Sequence, residues 1–471
     1  MQRLWYQGRE AASFFDQSRN VSINNLADNC LENIFRDLSF ADKLNAEAVC
    51  KRWKFLCRKS WKTVTSLNLL KHEQHRTDYD SLSSEQKNIQ SIAKLLKRCG
   101  DYLKVLKIGN PCHYTMLPFV FKYCRVLREL TISLPPVGND LSGISEIPTL
   151  RKFCLTEMSS DSQAAIFKIL PPELLELHLM TRDSQNKNEV EEYVNFPRDS
   201  DQYLNYLENL HNLLLSGFHL EGWVENMINR NVNIRTLALS LCSIESEKFF
   251  FYGLVNLESL LLDSVYPVDN NFIAILSECC EQLTTVNLIF CPYVTDIGVM
   301  FLWRLSHLRY LCLHYMLNIS DVCLSGFASL KMLICHNCLN IRDSGLIALL
   351  EVSPELKTLV VTGTSVTSAV LMAANEVSKK FVDNIPIAIL VDVEVASTWI
   401  RYNDSVLLTV ESLAGNDRSK PHRPSRYCDN PPMYDSSYVF QYQCGSDSEP
   451  EDDTNDEIII PPRRCFTWQL F

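Results

Sequence analysis

The chain has 471 residues, 46% hydrophobic and 21% charged, which excludes a fibrous or wholly disordered polypeptide and leaves room for two or three domains. A formal net charge of −11 argues against nucleic acid as the main partner, because phosphate binding demands concentrated Lys and Arg. No apolar run reaches the ~18–20 residues that cross a bilayer, so no membrane partner is expected; Ile385–Val393 is too short and contains Asp392. Met1 is not followed by a basic stretch and an apolar core, so no secretory signal is expected. The 18 cysteines then read as reduced thiols of an intracellular protein, and the Asn20, Asn318 and Asn403 sequons as chance matches.

Residues 1–22 show no period and read as a loose leader. From Leu26 the pattern changes: Leu31, Ile34, Phe35 and Leu38 have the spacing of one helix face. Ser39 with Asp42 three residues on starts a second helix, carrying Leu44, Ala48 and Val49. A third begins near Cys50-Lys51-Arg52-Trp53 and carries Phe55 and Leu56, with Trp61 as a bulky plug. Lys51, Arg52, Lys54, Arg58 and Lys59 are interleaved with these apolar residues and read as a solvated helix face rather than a nucleic-acid patch. Three short helices bury little surface alone, so such a unit needs a partner, with large apolar residues shared between core and interface.

These residues resemble an F-box. Leu26-Ala27-Asp28-Asn29-Cys30-Leu31 stands where that family has Leu-Pro-x-Glu-x-Leu. Ile34-Phe35-Arg36-Asp37-Leu38, Val49-Cys50-Lys51-Arg52-Trp53 and Ser60-Trp61 follow in the family's order, and Ala27 in place of proline is the departure. The resemblance covers residues 23–63 and implies binding to the Skp-type adaptor of an SCF (cullin-RING) ubiquitin ligase, through Leu26, Leu31, Ile34, Phe35, Leu38, Leu44, Val49 and Trp53. The bland reading of the same helices is a cap on the elements that follow.

A second pattern starts at Val64-x-x-Leu67-x-Leu69, followed by a charged connector at 71–80 and a helix over Ser84–Cys99 closed by Gly100. Leucine, two residues, leucine, one residue, leucine then recurs with conservative swaps from Leu103, Leu127, Leu150, Leu174, Leu210, Ile234, Leu257, Leu283, Leu308, Leu330 and Leu356. The steps run from 22 to 26 residues, except for 36 between Leu174 and Leu210. A leucine-rich repeat has a period of about 20–29 residues, so this is a binding architecture. Three copies carry a longer signature: Cys291, Val294, Thr295, Asp296, Gly298; Met316, Ile319, Ser320, Asp321; and Cys338, Ile341, Asp343, Gly345. This resembles the cysteine-containing subclass of leucine-rich repeats common behind F-boxes. The implied fold is an α/β solenoid, a horseshoe with parallel strands on the concave face and helices on the convex face, preceded by the three-helix unit.

The register disposes of Cys335-His336-Asn337-Cys338 as a zinc or redox site, because both thiols fall at inward positions and no second Cys-x-x-Cys supplies four ligands. Cys279-Cys280, at a helix end, reads the same way, and no metal or cofactor is expected. Alternation along each strand places Asn212, Leu214, Leu261, Asp263, Asn287, Ile289, Tyr310, His314, Met332, Ile334 and His336 on the concave face. From the fifth repeat on, Asp263 is the only formal charge there, so the expected ligand is a largely uncharged surface of an unknown protein substrate. The long step holds a polar insertion centred on 181–202, read as a loop.

The repeats extend, with degenerate ends, over 64–411, through a helix at Val366–Lys379 and a last short strand at Ile387–Val391. Residues 412–471 read as a mostly disordered acidic tail, with Ser446 and Ser448 as weak sites for an acid-directed kinase. The tail turns apolar at Ile458-Ile459-Ile460 and again at Phe466, Trp468, Leu470 and Phe471, which suggests that it folds back onto the repeats. The leading expectation is a non-catalytic substrate receptor of the ligase, cytoplasmic or nuclear. The alternative is a leucine-rich-repeat scaffold acting outside ubiquitylation. An enzyme is disfavoured by the lack of a phosphate-cradling glycine loop, a Gly-x-Ser-x-Gly elbow or His-Glu-x-x-His.

Overall fold

A computed structural model describes residues 23–70, 77–110, 112, 114–133, 141–158, 165–181, 193–198, 207–245, 250–380, 386–400 and 408–412. The expectations for the leader and for the tail from residue 413 onward lie outside these. The chain divides into two compact units, 1–130 with 146–149, and 131–145 with 150–471.

The first unit opens with three helices, α1 (Asp28–Arg36), α2 (Phe40–Val49) and α3 (Lys51–Ser60). Ser39 caps α2 as its spacing predicts, its Oγ accepting from the Asp42 amide at 3.2 Å. Cys50 is extended (φ −159°), which ends α2, and its Sγ accepts from the Trp53 amide, which starts α3. Leu31, Phe35, Ala46, Leu56 and Cys57 form the core of the three helices, with Leu38 and Trp53 packed against it. Strand β1 (Ser66–Leu69) pairs in parallel with β2 (Val105–Gly109), Ser66 opposite Val105, so the degenerate repeat at Val64 is a structural repeat. Between them α4 covers Ile89–Cys99, not Ser84–Cys99, because Asn88 is the cap and accepts from the Ser91 amide at 2.9 Å. Gln86 instead reaches back to the Ala41 carbonyl and the Asn45 side chain of α2. Strand β3 (Glu129–Ser133) carries the chain into the second unit.

The second unit is a parallel sheet of consecutive strands with helices between them. After β4 (Lys152–Met158) and β5 (Glu176–Thr181) come β6 (Val194–Asn195), β7 (Asn212–Ser216), β8 (Phe218–Leu220), β9 (Thr236–Ser240), β10 (Ser243–Ile244), β11 (Ser259–Asp263) and β12 (Thr285–Ile289). Then follow β13 (Tyr310–His314), β14 (Met332–Ile334), β15 (Thr358–Val360), β16 (Ile387–Val391) and β17 (Leu408–Ser412). The order in the sheet is β4-β5-β7-β9-β11-β12-β13-β14-β15-β16-β17, so strands of successive repeats are neighbours. Register is that of the repeats: Leu260 lies opposite Leu237 and Val286, and Val286 opposite Leu311. None of the 33 side chains at the leucine positions of the eleven repeats is more than 4% exposed, in agreement with the inward positions read from the sequence. Each buried leucine contributes about 1.5–3 kcal/mol. The fold is an α/β leucine-rich-repeat solenoid.

The longer signature has a hydrogen-bonding cause. Asp296 accepts from the Ser320 amide at 2.6 Å and its hydroxyl at 2.7 Å. Asp321 accepts from the Arg342 amide and the Ser344 hydroxyl, and Asp343 from the amide and hydroxyl of Thr367. Each carboxylate thus ties the start of one helix to the next repeat. The cysteine position does the same from inside: Cys291 Sγ donates to the Leu262 carbonyl, Cys338 Sγ to Leu313 and Cys242 Sγ to Leu215, each in the preceding repeat. The eighth residue of the repeat is left-handed in seven successive repeats: Gly217, Leu241, Ser264, Phe290, Tyr315, Asn337 and Gly363. Only the two glycines adopt that turn without steric cost.

Gly345 of the signature is required by close approach, since a Cβ there would lie 2.7 Å from Asp321 Cα and 2.8 Å from its carbonyl oxygen. Gly345→Ala should therefore cost about 1–3 kcal/mol, as overpacking against backbone does, measured as a shift in the urea midpoint.

Two further expectations need correction. The insertion in the long step is not simply a polar loop: β6 pairs in parallel with β8, and β8 with β10, forming a second three-stranded sheet. Phe196, just after β6, is buried and packs on Phe218 and Trp223 at 5.3 and 5.9 Å between ring centroids. The Val194-Asn195-Phe196 run was too short to stand out among the surrounding charges. The sheet also does not end at Ile387–Val391, because β17 pairs with it in parallel, Ile387 opposite Leu408.

Candidate functional site

The three-helix unit presents two kinds of apolar residue. Leu31 and Phe35 of α1 point into its core, Phe35 meeting Trp53 with ring centroids 5.1 Å apart. Leu38, Leu44 and Trp53 are half-buried. Leu26, Ile34 and Val49 are exposed, Val49 by 60%, as are Ile23 and, by 61%, Phe55. Of the eight residues the F-box resemblance nominated for the adaptor, Leu26, Ile34 and Val49 are therefore open to solvent, Leu38, Leu44 and Trp53 partly so, and Leu31 and Phe35 hold the fold. Of the stripe Leu44, Ala48, Val49 of α2, the last two turn outward, while Ala41, Lys43, Ala46 and Glu47 turn in.

Burying Lys43 and Glu47 requires partners. Lys43 Nζ donates to the Arg36 carbonyl at 3.0 Å and lies 5.7 Å from the ring centroids of both Phe40 and Trp61. Burial pulls the Lys43 ammonium below the ordinary lysine range, partly opposed by Asp37. Glu47 accepts from Trp61 Nε1 at 2.7 Å and from Arg98 of α4, whose Nε lies 3.0 and 3.1 Å from its two oxygens. Trp61 also stacks on Phe40 at 6.0 Å. The helices and α4 are thus joined by one buried polar bolt.

Arg52, read from the sequence as part of a solvated basic face, is engaged. It donates to Asp28 at 2.8 Å and to the carbonyls of Asn24 and Leu26 at 2.5 and 2.6 Å. Trp53 Nε1 donates to Asn24 Oδ1 at 3.0 Å. These bonds hold the segment that carries Leu26, where Ala27 precedes α1 with no side-chain cap. Neither Arg52 nor Phe55 was among the residues that the F-box resemblance nominated for the adaptor. A basic residue 24 positions after an acidic one gives no local signal.

On the strand face opposite the leucine core, Asn212, Tyr310 and Ile334 are half-buried, and Leu214, Leu261, Asp263, Asn287, Ile289, His314, Met332 and His336 are buried. Leu214, Ala238, Leu261, Ile289 and Cys312 pack as one apolar row, with Met180, Phe290 and Ile334 against it. Asp263 accepts from the hydroxyls of Ser240 and Ser264 at 3.2 and 3.0 Å, and burial pushes its carboxyl up to about 6. The His314 and His336 rings lie 4.8 Å apart, and burial pulls His314 down to about 3. The thiols of Cys335 and Cys338 point into the core, and burial pushes both up. Among the described residues no helix is long and apolar enough to cross a membrane.

Further along the repeats, exposed apolar side chains recur after successive strands: Tyr266, Tyr293, Leu317 and Leu339, with Tyr266 edge-on to Tyr293 at 5.4 Å.

Comparison with known proteins adds three findings. No curated protein matches the chain. Among solved structures, an internalin (InlF) from Listeria monocytogenes aligns with 73% of this chain and 94% of its own at 15% identity and a TM-score of 0.41. The yeast Rad7 and Elc1 complex aligns over 87% and 97% at 13% identity and a TM-score of 0.44, and a TLR13–ssRNA13 complex over 66% and 43% at 15% and 0.39. The family model of the F-box domain matches residues 23–65, so the helices α1 to α3, from which Leu26, Ile34 and Val49 are exposed, are an F-box domain.

Proposed function

We propose that the chain is a substrate-recognition subunit of an SCF-type ubiquitin ligase, its F-box domain binding a Skp-type adaptor and its repeats holding a protein substrate. The observation that carries the reading is the exposed apolar side of an F-box domain whose core is already complete: Leu26, Ile34 and Val49 are in solvent while Leu31 and Phe35 are buried. Large apolar side chains left exposed beside a complete core are candidates for a protein-binding surface. The repeats would supply the second surface. The mechanism is proximity: a substrate held on the repeats meets the ubiquitin-loaded conjugating enzyme as if within one molecule. In this reading the chain is a non-catalytic receptor, and cytoplasm or nucleus is its place of action.

The test separates surface from fold. In the full chain, Val49→Asp should weaken binding to a purified Skp-type adaptor by roughly a hundredfold, about 2.7 kcal/mol, as loss of a central interface residue does. Its circular dichroism spectrum and melting temperature should stay those of the parent, because Val49 touches solvent. Undiminished adaptor binding by Val49→Asp and by Leu26→Asp would overturn the assignment of this side.

A further inference from the structure

Strands β11 and β12 are dry on both faces. Side chains alternate along a strand, so Leu260, Leu262, Val286 and Leu288 face the leucine core, while Ser259, Leu261, Asp263, Thr285, Asn287 and Ile289 face the other way. None of these last six is more than 7% exposed. Leu261 and Ile289 are too large to hide between strands about 4.8 Å apart, so something lies over them. The helices do not. Parallel strands that follow one another in chain order, joined by crossovers of one hand, put every crossover on the same side of the sheet.

The covered face has a definite chemistry. Its apolar row from Leu214 to Ile334 crosses six strands, roughly 24 Å. Its one carboxylate, Asp263, has two hydroxyls for company and, among the described residues, no ion-pair partner. A buried carboxylate without a cation is costly, so the cover should bring one. The segment 458–471 has the complementary order: Ile458-Ile459-Ile460, then Arg463-Arg464, then Phe466, Trp468 and Leu470 with the period of two that puts all three on one side of an extended chain. Laid out, these 14 residues span about 46 Å, enough to cross the row, and the 45 residues after Ser412 are a tether of more than enough reach.

We propose that the chain's own segment Ile458–Phe471 occupies this strand face, with Arg463 or Arg464 paired to Asp263, and that a protein partner of the face must displace it. The proposal does not rest on the ligase reading, because it concerns only the repeats and the segment that covers them.

Cys312 is a native probe, lying on this face and 5% exposed. Maleimide labelling of the full chain, mapped by peptide mass, should find Cys312 protected. Removing residues 458–471, or introducing Arg463→Glu with Arg464→Glu, should raise its labelling rate roughly tenfold or more, as loss of a docked segment would. Exposed Cys30 should label equally in all three proteins, and core-facing Cys335 and Cys338 in none, which verifies that the repeats remain folded. Unchanged protection of Cys312 in either variant overturns the proposal. So does rapid labelling in the intact chain, which would mean a face open to a foreign partner. Protection that survives removal of the segment and falls on dilution would instead identify a second copy as the cover.

Discussion

Phe35→Ala should unfold the F-box domain in the full chain, and adaptor binding should disappear with it. Phe35 is 1% exposed and touches the Trp53 ring, in a core cluster of five buried residues. Removing a buried phenylalanine costs about 3–5 kcal/mol. That is comparable to the whole stability of a domain of this size. Limited proteolysis of the full chain should show new cleavage within residues 23–65, while fragments from the second unit stay intact. Phe35→Leu, which keeps most of the volume, should retain both protection and binding. A Phe35→Ala protein with unchanged proteolysis would show that the core identified here does not hold the helices. The contrast with Val49→Asp matters: one substitution should remove binding by removing the fold, the other by removing the surface alone.

Glu47→Ala should be nearly as damaging, although a surface-minded reading of α2 would give it little weight. The carboxylate joins Trp61 Nε1 to the Arg98 guanidinium, and its side chain is 7% exposed. Losing it strands a buried indole N–H and breaks a largely buried charge pair, at a combined cost of about 3 kcal/mol. Arg98 is 27% exposed in that pair and can turn toward water, which keeps the figure below the cost for a fully enclosed ion. Glu47→Gln keeps an acceptor for Trp61 and should lose only about 1 kcal/mol. A cycle of Glu47→Ala, Arg98→Ala and the double variant in urea should give a coupling energy within about 0.5–3 kcal/mol. Additive effects would mean that the bolt between the helices and α4 carries no energy.

Both the repeat register and the identity of the F-box were legible because each is written in local spacing. The leucine pattern repeats with the period of one strand and one crossover, so alternation alone assigned Leu260 and Leu262 inward and Leu261 outward. The order of Ile34-Phe35, Val49-Cys50-Lys51 and Trp53 likewise needed no tertiary information. The inward cysteines followed from the same register, although Cys242 at the equivalent position went unrecognised, because Ser243-Ile244-Glu245 after it lacks the rest of the signature.

What the spacing left open was settled by partners distant along the chain. Lys43 and Glu47 look like exposed charges on α2; their burial depends on Arg36, Trp61 and Arg98, 7 to 51 positions away. Arg52 became a clasp on Asn24, Leu26 and Asp28 for the same reason. The second sheet of β6, β8 and β10 was invisible because strands of two or three residues have no measurable period, and their pairing comes from neighbouring repeats being stacked. Periodicity says which way a side chain points, since that depends on backbone geometry alone. Whether the place it points to is water, a neighbour or a cover is decided only when the chain has folded and distant residues have met.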